Sequence, residues 1–168
     1  MANLLQGGKG RPLHPFLVHF PVALYVTSLL FDWLSRLADD GHPFVVGAFT
    51  LLLTGLAVSV AAIATGFADF LPIENGTRTW RLAVLHMTVQ LVGWGLFLAD
   101  AILRSRDLGV TTTPFGPVLL SLFGVAVLAL GTVLGHDLVF RHGRRVEAGP
   151  IVLEPAPDAA EPERPPRP

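Results

Sequence analysis

Histidine offers the most chemistry in this chain. Five of its six histidines, His14, His19, His86, His136 and His142, lie at the ends of four long apolar stretches, and none lies in the middle of one. An imidazole near hydrocarbon is costly unless partnered, so a group of them is first of all a candidate site. If successive stretches run up and down through a membrane, all five come to one face, with Asp69 and Asp137 beside them. Neutral imidazole ligates haem iron and most transition metals, and four-helix bundles build such sites from inward side chains on facing helices. One imidazole from the first stretch and one from the third would suit the two faces of a haem b, or a single transition metal. Depth selects His19 and His86 for this role, each about one turn inside its stretch, with His136 and His14 as alternates. Asp69 and Asp137 could orient the ligand rings through their second nitrogens, and Gln90, one turn beyond His86, faces the same pocket.

A plainer reading stands beside this one, in which the histidines only pack and hydrogen-bond. It is the cheaper account for His14 and His142, outside the hydrocarbon, where exposure costs little. His19, His86 and His136 are harder to dismiss, because apolar surroundings penalise them unless they have partners. His42 stands alone before Pro43 and reads as a loop residue. With only His42 at the opposite end, one haem or one metal centre is the most the sequence supports.

The elements that must position these rings follow from composition. The 168 residues are 51% hydrophobic and 15% charged, with mean hydropathy +0.56, whereas soluble domains carry about 25% charged residues. The apolar residues form four blocks, 16–38, 43–71, 82–103 and 115–140. Each is long enough to cross about 30 Å of hydrocarbon as a helix, and none alternates with the period of a barrel strand. The fold expected is therefore all-α, an up-down bundle of four transmembrane helices. A polar segment at 1–13 precedes the membrane domain, 14–146. A proline-rich tail, 147–168, cannot bury a core and is expected to be disordered. The first block is too long for a signal-peptide core and reads as a retained span. A net charge of −1 gives no basic field for nucleic acid, and the absence of cysteine excludes disulfides and thiolate chemistry.

The side holding Lys9, Arg11, Arg78, Arg81, Arg141, Arg144 and Arg145 faces one holding Arg36, Arg104 and Arg106. This bias predicts both termini, and the histidines, on the cytoplasmic side. Two prolines, Pro15 and Pro21, predict a bent entry to the first span. Asp32/Arg36 and Asp100/Arg104 read as i,i+4 pairs at the far interface. His19/His86 and Asp69/His136 are each 67 positions apart, which suggests a duplicated helical hairpin related by an axis along the membrane normal. Glycines within the spans suit close packing, and Gly66, Gly93, Gly131 or Gly135 could clear room for a planar cofactor. No triad spacing, zinc-protease motif, phosphate loop or dinucleotide fingerprint is present.

The opening His14-Pro15-x-x-Val18-His19-Phe20-Pro21, the Gly66-x-x-Asp69 ending, the isolated His86 and the run Gly135-His136-x-Leu138-Val139-Phe140-Arg141-His142-Gly143 resemble one bacterial family. It is the four-helix membrane domain termed domain of unknown function 2231, and the resemblance runs from His14 to Val146. Some members are fused to Rieske iron–sulfur domains, which implies, by association, a role near electron transfer. This chain has His136-Asp137 and Arg144-Arg145 where relatives often show further glycines. It carries no Rieske module, so a redox partner would be a separate chain. The leading expectation is one histidine-bound haem or metal in a bilayer-embedded electron-transfer protein; self-association is compatible with it. The rivals are a structural or assembly subunit and a transporter, the latter disfavoured because no span has a mid-span charge.

Overall fold

A computed structural model describes residues 5–7, 13–106 and 108–142. The expected tail and most of the polar N-terminal segment lie outside the described residues, as do Arg144 and Arg145. The first span, Leu13–Leu37, is divided into α1 (Leu13–Leu17) and α2 (His19–Leu37). The others are continuous: α3 (His42–Phe70), α4 (Arg78–Arg104) and α5 (Phe115–Phe140). Among the described residues there is no strand. The interruption at Val18 has a chemical cause: Pro21 has no N–H to return to the carbonyl of Leu17. The bent entry thus lies where the two prolines place it.

Spans of 25–29 residues reach about 38–43 Å at 1.5 Å per residue, enough to cross a bilayer with some tilt. Only 17–33% of the residues in each apolar window are buried, so most apolar side chains face outward. Water would not tolerate that surface; lipid does. Exposed threonines in the spans confirm the economy of such a surface: Thr27, Thr50, Thr88 and Thr132 each return their hydroxyls to the carbonyl four residues back.

The spans run up-down-up-down, each packed against its sequence neighbours, with the first also against the fourth. The inward stripe of the first span is His14, Val18, Pro21, Tyr25, Ser28, Asp32 and Ser35, stepping by four and three residues as a helix face must. The third span repeats it 72 positions later: His86, Gln90, Gly93, Phe97, Asp100 and Arg104. The second and fourth spans match with a shift of 69, so Gly55, Ala62 and Gly66 correspond to Gly124, Gly131 and Gly135. The hairpin duplication is therefore visible in the packing, but its register is not the 67-residue one. His86 corresponds to His14, not His19.

Corresponding residues meet across the approximate two-fold. Tyr25 and Phe97 stack in the centre with ring centres 3.8 Å apart and planes 7° from parallel. Each ring lies over a glycine of its own hairpin; a Cβ on Gly55 would stand 2.7 Å from Tyr25, and one on Gly124 would stand 2.8 Å from Phe97. Towards the far end, Arg104 donates to both oxygens of Asp32 at 2.5 and 2.7 Å. Its Nε donates to Asp100 at 3.0 Å, and Ser121 of the fourth span donates to the other Asp100 oxygen at 2.7 Å. Both carboxylates are fully buried and Arg104 is 6% exposed. The expected Asp32–Arg36 pair is replaced by this arrangement. Arg36 instead donates to the Thr113 carbonyl and lies 3.9 Å from the Phe115 ring centre.

Breaking a buried ion group by deleting one partner costs about 3–5 kcal/mol, because the remaining charges stay buried. Arg104→Leu is therefore expected to lower unfolding free energy in mild detergent by about that much, and Arg36→Leu by about 1–2 kcal/mol. Denaturant titration of both variants checks the ordering; equal losses would contradict it.

Candidate functional site

At the opposite end of the bundle the first and third spans bring two imidazoles together. The ring centres of His14 and His86 are 6.4 Å apart and their planes are 85° apart. His14 Nδ1 is 2.8 Å from the carbonyl oxygen of Ala62, and His86 Nδ1 is 2.8 Å from that of Gly131. A carbonyl can only accept, so both imidazoles donate from Nδ1. The neutral ring then carries its lone pair on Nε2. Both tautomers are fixed in the same sense by the same device, a backbone carbonyl of the partner helix one turn before a glycine.

The glycines explain how the rings fit. A Cβ on Gly66 would stand 2.7 Å from His14 Cε1, and one on Gly135 would stand 2.8 Å from His86 Cε1. Gly131 is likewise covered by Gln90, whose side-chain carbon Cδ would be 2.7 Å from a Cβ there. Gln90 Oε1 is buried with no hydrogen-bond partner, so an acceptor is available beside His86. An imidazole, a carboxamide and glycine-lined helix faces form a compact polar site at this end.

Other histidines take different positions. His19 is exposed, off the inward stripe, with Nδ1 3.3 Å from the Phe16 carbonyl of its own span. His14 lies on the stripe that continues through Val18, Pro21 and Tyr25, and His19, five residues on, falls off that face. His136 is exposed and packs on Phe140 with ring centres 4.3 Å apart. His142 turns back to the Asp137 carbonyl, and Asp137 itself pairs with Arg141 at 3.3 Å. Asp69 is half-buried in the last turn of the second span. The Nδ1 atoms of His14 and His86 go to backbone carbonyls, so the orienting role expected of Asp69 and Asp137 is filled by Ala62 and Gly131. Among the described residues no group of three or more histidine or acidic side chains is arranged to hold a metal ion.

The profile of a protein family described as "Predicted membrane protein (DUF2231)" matches residues 10–148. The chain belongs to this family. No curated protein and no solved structure matches it. For this DUF2231 member the match spans all four helices, and with them the histidine pair and the buried ion group at the far end. The ion group is a site that reading the four residues as surface pairs overlooks. A signal for it exists: Tyr25, Ser28, Asp32 and Ser35 share one face of the first span, and in a bilayer polar side chains turn inward. That same stripe runs back through His14 and misses His19.

A methyl group at Gly66 or Gly135 must displace an imidazole. Gly66→Ala and Gly135→Ala are each expected to cost about 1–3 kcal/mol by overpacking. Gly95→Ala, which meets nothing within 4 Å, should stay within about 0.5 kcal/mol of the parent. Thermal unfolding in detergent of the three variants checks this, and equal tolerance at all three positions would contradict the packing described.

Proposed function

We propose that this protein binds one haem b through His14 and His86 and acts in electron transfer. The observation that carries the reading is the pair's geometry. Two imidazoles from facing spans, with ring centres 6.4 Å apart, would hold a haem iron between them. Both Nδ1–H groups are already engaged, which leaves the Nε2 lone pairs as the ligating atoms. The donor set favours haem over a bare transition-metal ion, because a porphyrin supplies the remaining four ligands and the described residues offer no third protein ligand. Gly66 and Gly135 let the two imidazoles seat closely against the second and fourth spans. A bound haem supplies one-electron redox chemistry. The protein would hold the ligand tautomers and set the site's depth near one membrane face.

Charge distribution supports a cytoplasmic position for this end, in a bacterial inner membrane. Of the cationic residues at the far end, Arg104 is buried and Arg36 is tied to Thr113, so Arg106 is the one exposed arginine there among the described residues. A separate chain would deliver or remove the electron.

A second reading has its own support. His14–Ala62 and His86–Gly131 each join the two helices of one hairpin, so the imidazoles could serve as clasps in a structural or assembly subunit. The visible spectrum separates the two. Protein produced with ample haem and purified in mild detergent is expected to show a Soret band and a reducible α band. His14→Ala and His86→Ala should lose both bands, while His19→Ala and His136→Ala keep them. A colourless wild-type protein, or bands that depend on His19 and not on His14, would overturn the haem assignment.

A further inference from the structure

The far end of the bundle has a charge imbalance that its hydrogen bonds do not remove. Asp32 from the first span and Asp100 from the third share a single guanidinium, Arg104, and Ser121 from the fourth span completes the group. Asp32 and Asp100 are 0% exposed. Among the described residues no other charged side chain bonds to them: Arg36 is engaged by Thr113 and Phe115, and the second span brings His42, exposed and bonded to the Val110 carbonyl. With both carboxylates ionised the group would carry one uncompensated negative charge, which a buried site disfavours strongly. One proton makes it neutral.

Geometry says where that proton goes. Asp32 receives two parallel guanidinium N–H bonds, the arrangement that best holds a carboxylate ionised. Asp100 receives one N–H on one oxygen, and on the other a serine hydroxyl that can accept as readily as donate. When Asp100 is protonated, its O–H donates to Ser121 Oγ. The serine hydroxyl then turns to the Pro117 carbonyl one helical turn back, as helix serines do.

A route for water is also present. A pocket of about 60 Å³ opens beside the group, lined by Arg104, Thr113, Pro117, Val45, Leu103 and Val110 among others. A single water needs roughly 10–15 Å³ on this measure, so the pocket holds more than one. Thr113 is 1% exposed, and its hydroxyl oxygen has no protein partner; the neighbouring Arg36 Nε is also buried and unpaired. A buried hydroxyl without a protein partner on the wall of a water-sized space calls for water.

We propose that the far end of the bundle is a proton-binding site, in which Asp100 holds an exchangeable proton and the pocket, which meets the group at Arg104, admits the water that exchanges it. A hydronium ion that reaches Asp100 Oδ2 gives up its proton and leaves water; release is the reverse. The inference does not depend on haem binding at the other end. Infrared spectroscopy of the wild-type protein in lipid bilayers at neutral pH tests it. The expected result is a protonated-carboxyl carbonyl band that shifts when water is replaced by deuterium oxide. It should vanish in Asp100→Asn. It should vanish in Asp32→Asn too, because Arg104 then takes Asp100 as its sole counter-charge, and it should persist in Asp137→Asn. Ser121→Ala keeps both carboxyls and should move the band, since the acceptor of the Asp100 proton is gone. A wild-type protein with no such band, a band that survives in Asp100→Asn, or one that ignores deuterium oxide would overturn the proposal.

Discussion

One guanidinium shared by two buried carboxylates holds the four spans in register. Helices in lipid gain little from burying apolar surface, since lipid tails are as apolar as leucine, so close packing and polar bonds must join them. Arg104 links the third span to Asp32 of the first and, through Ser121, to the fourth. The second span is drawn in by smaller bonds, from Ser28 to the Ala48 carbonyl and between Tyr25 and Ser59. Every other inward residue is placed relative to that group by the four-and-three stepping of the helix face.

The same constraint produces the histidine pair. Asp32 and Arg104, Tyr25 and Phe97, and His14 and His86 occupy equivalent positions in the two hairpins, and each pair meets across the approximate two-fold. Duplication thus yields three kinds of contact on one axis: an ion group at one end, an aromatic stack in the middle and two imidazoles at the other end. The two ends have opposite chemistry. One offers the Nε2 atoms of two imidazoles; the other sets two carboxyls on a single guanidinium beside a water-sized space.

Much of this was legible in the residues. Four apolar blocks imply four spans, and the helices found, Leu13–Leu37, His42–Phe70, Arg78–Arg104 and Phe115–Phe140, differ from the blocks by a few residues at their ends, except at Leu82, where the helix begins a turn earlier behind the Thr77 cap. The repeat was legible as well, but matching His19 to His86 fixed on depth and passed over helix face. Depth alone does not fix helix face: His19 is five residues from His14, about 140° around a regular helix, and points away from it. Asp32 and Arg36 satisfy the i,i+4 rule in sequence, yet a second carboxylate across the bundle offered Arg104 a better bond than either local pair alone. Such a choice depends on tertiary packing: the polar stripe of the first span marks Asp32 as inward, and only the packed bundle shows which partner it meets.

The central claim is that His14 and His86 face one another with their Nδ1 protons on backbone carbonyls. Solid-state NMR of ring-labelled histidine protein in lipid bilayers measures this directly. The account predicts a ring-to-ring contact between His14 and His86, both as Nδ1–H tautomers, and no such contact for His19. A His19–His86 contact, or Nε2–H tautomers at His14 and His86, would contradict it.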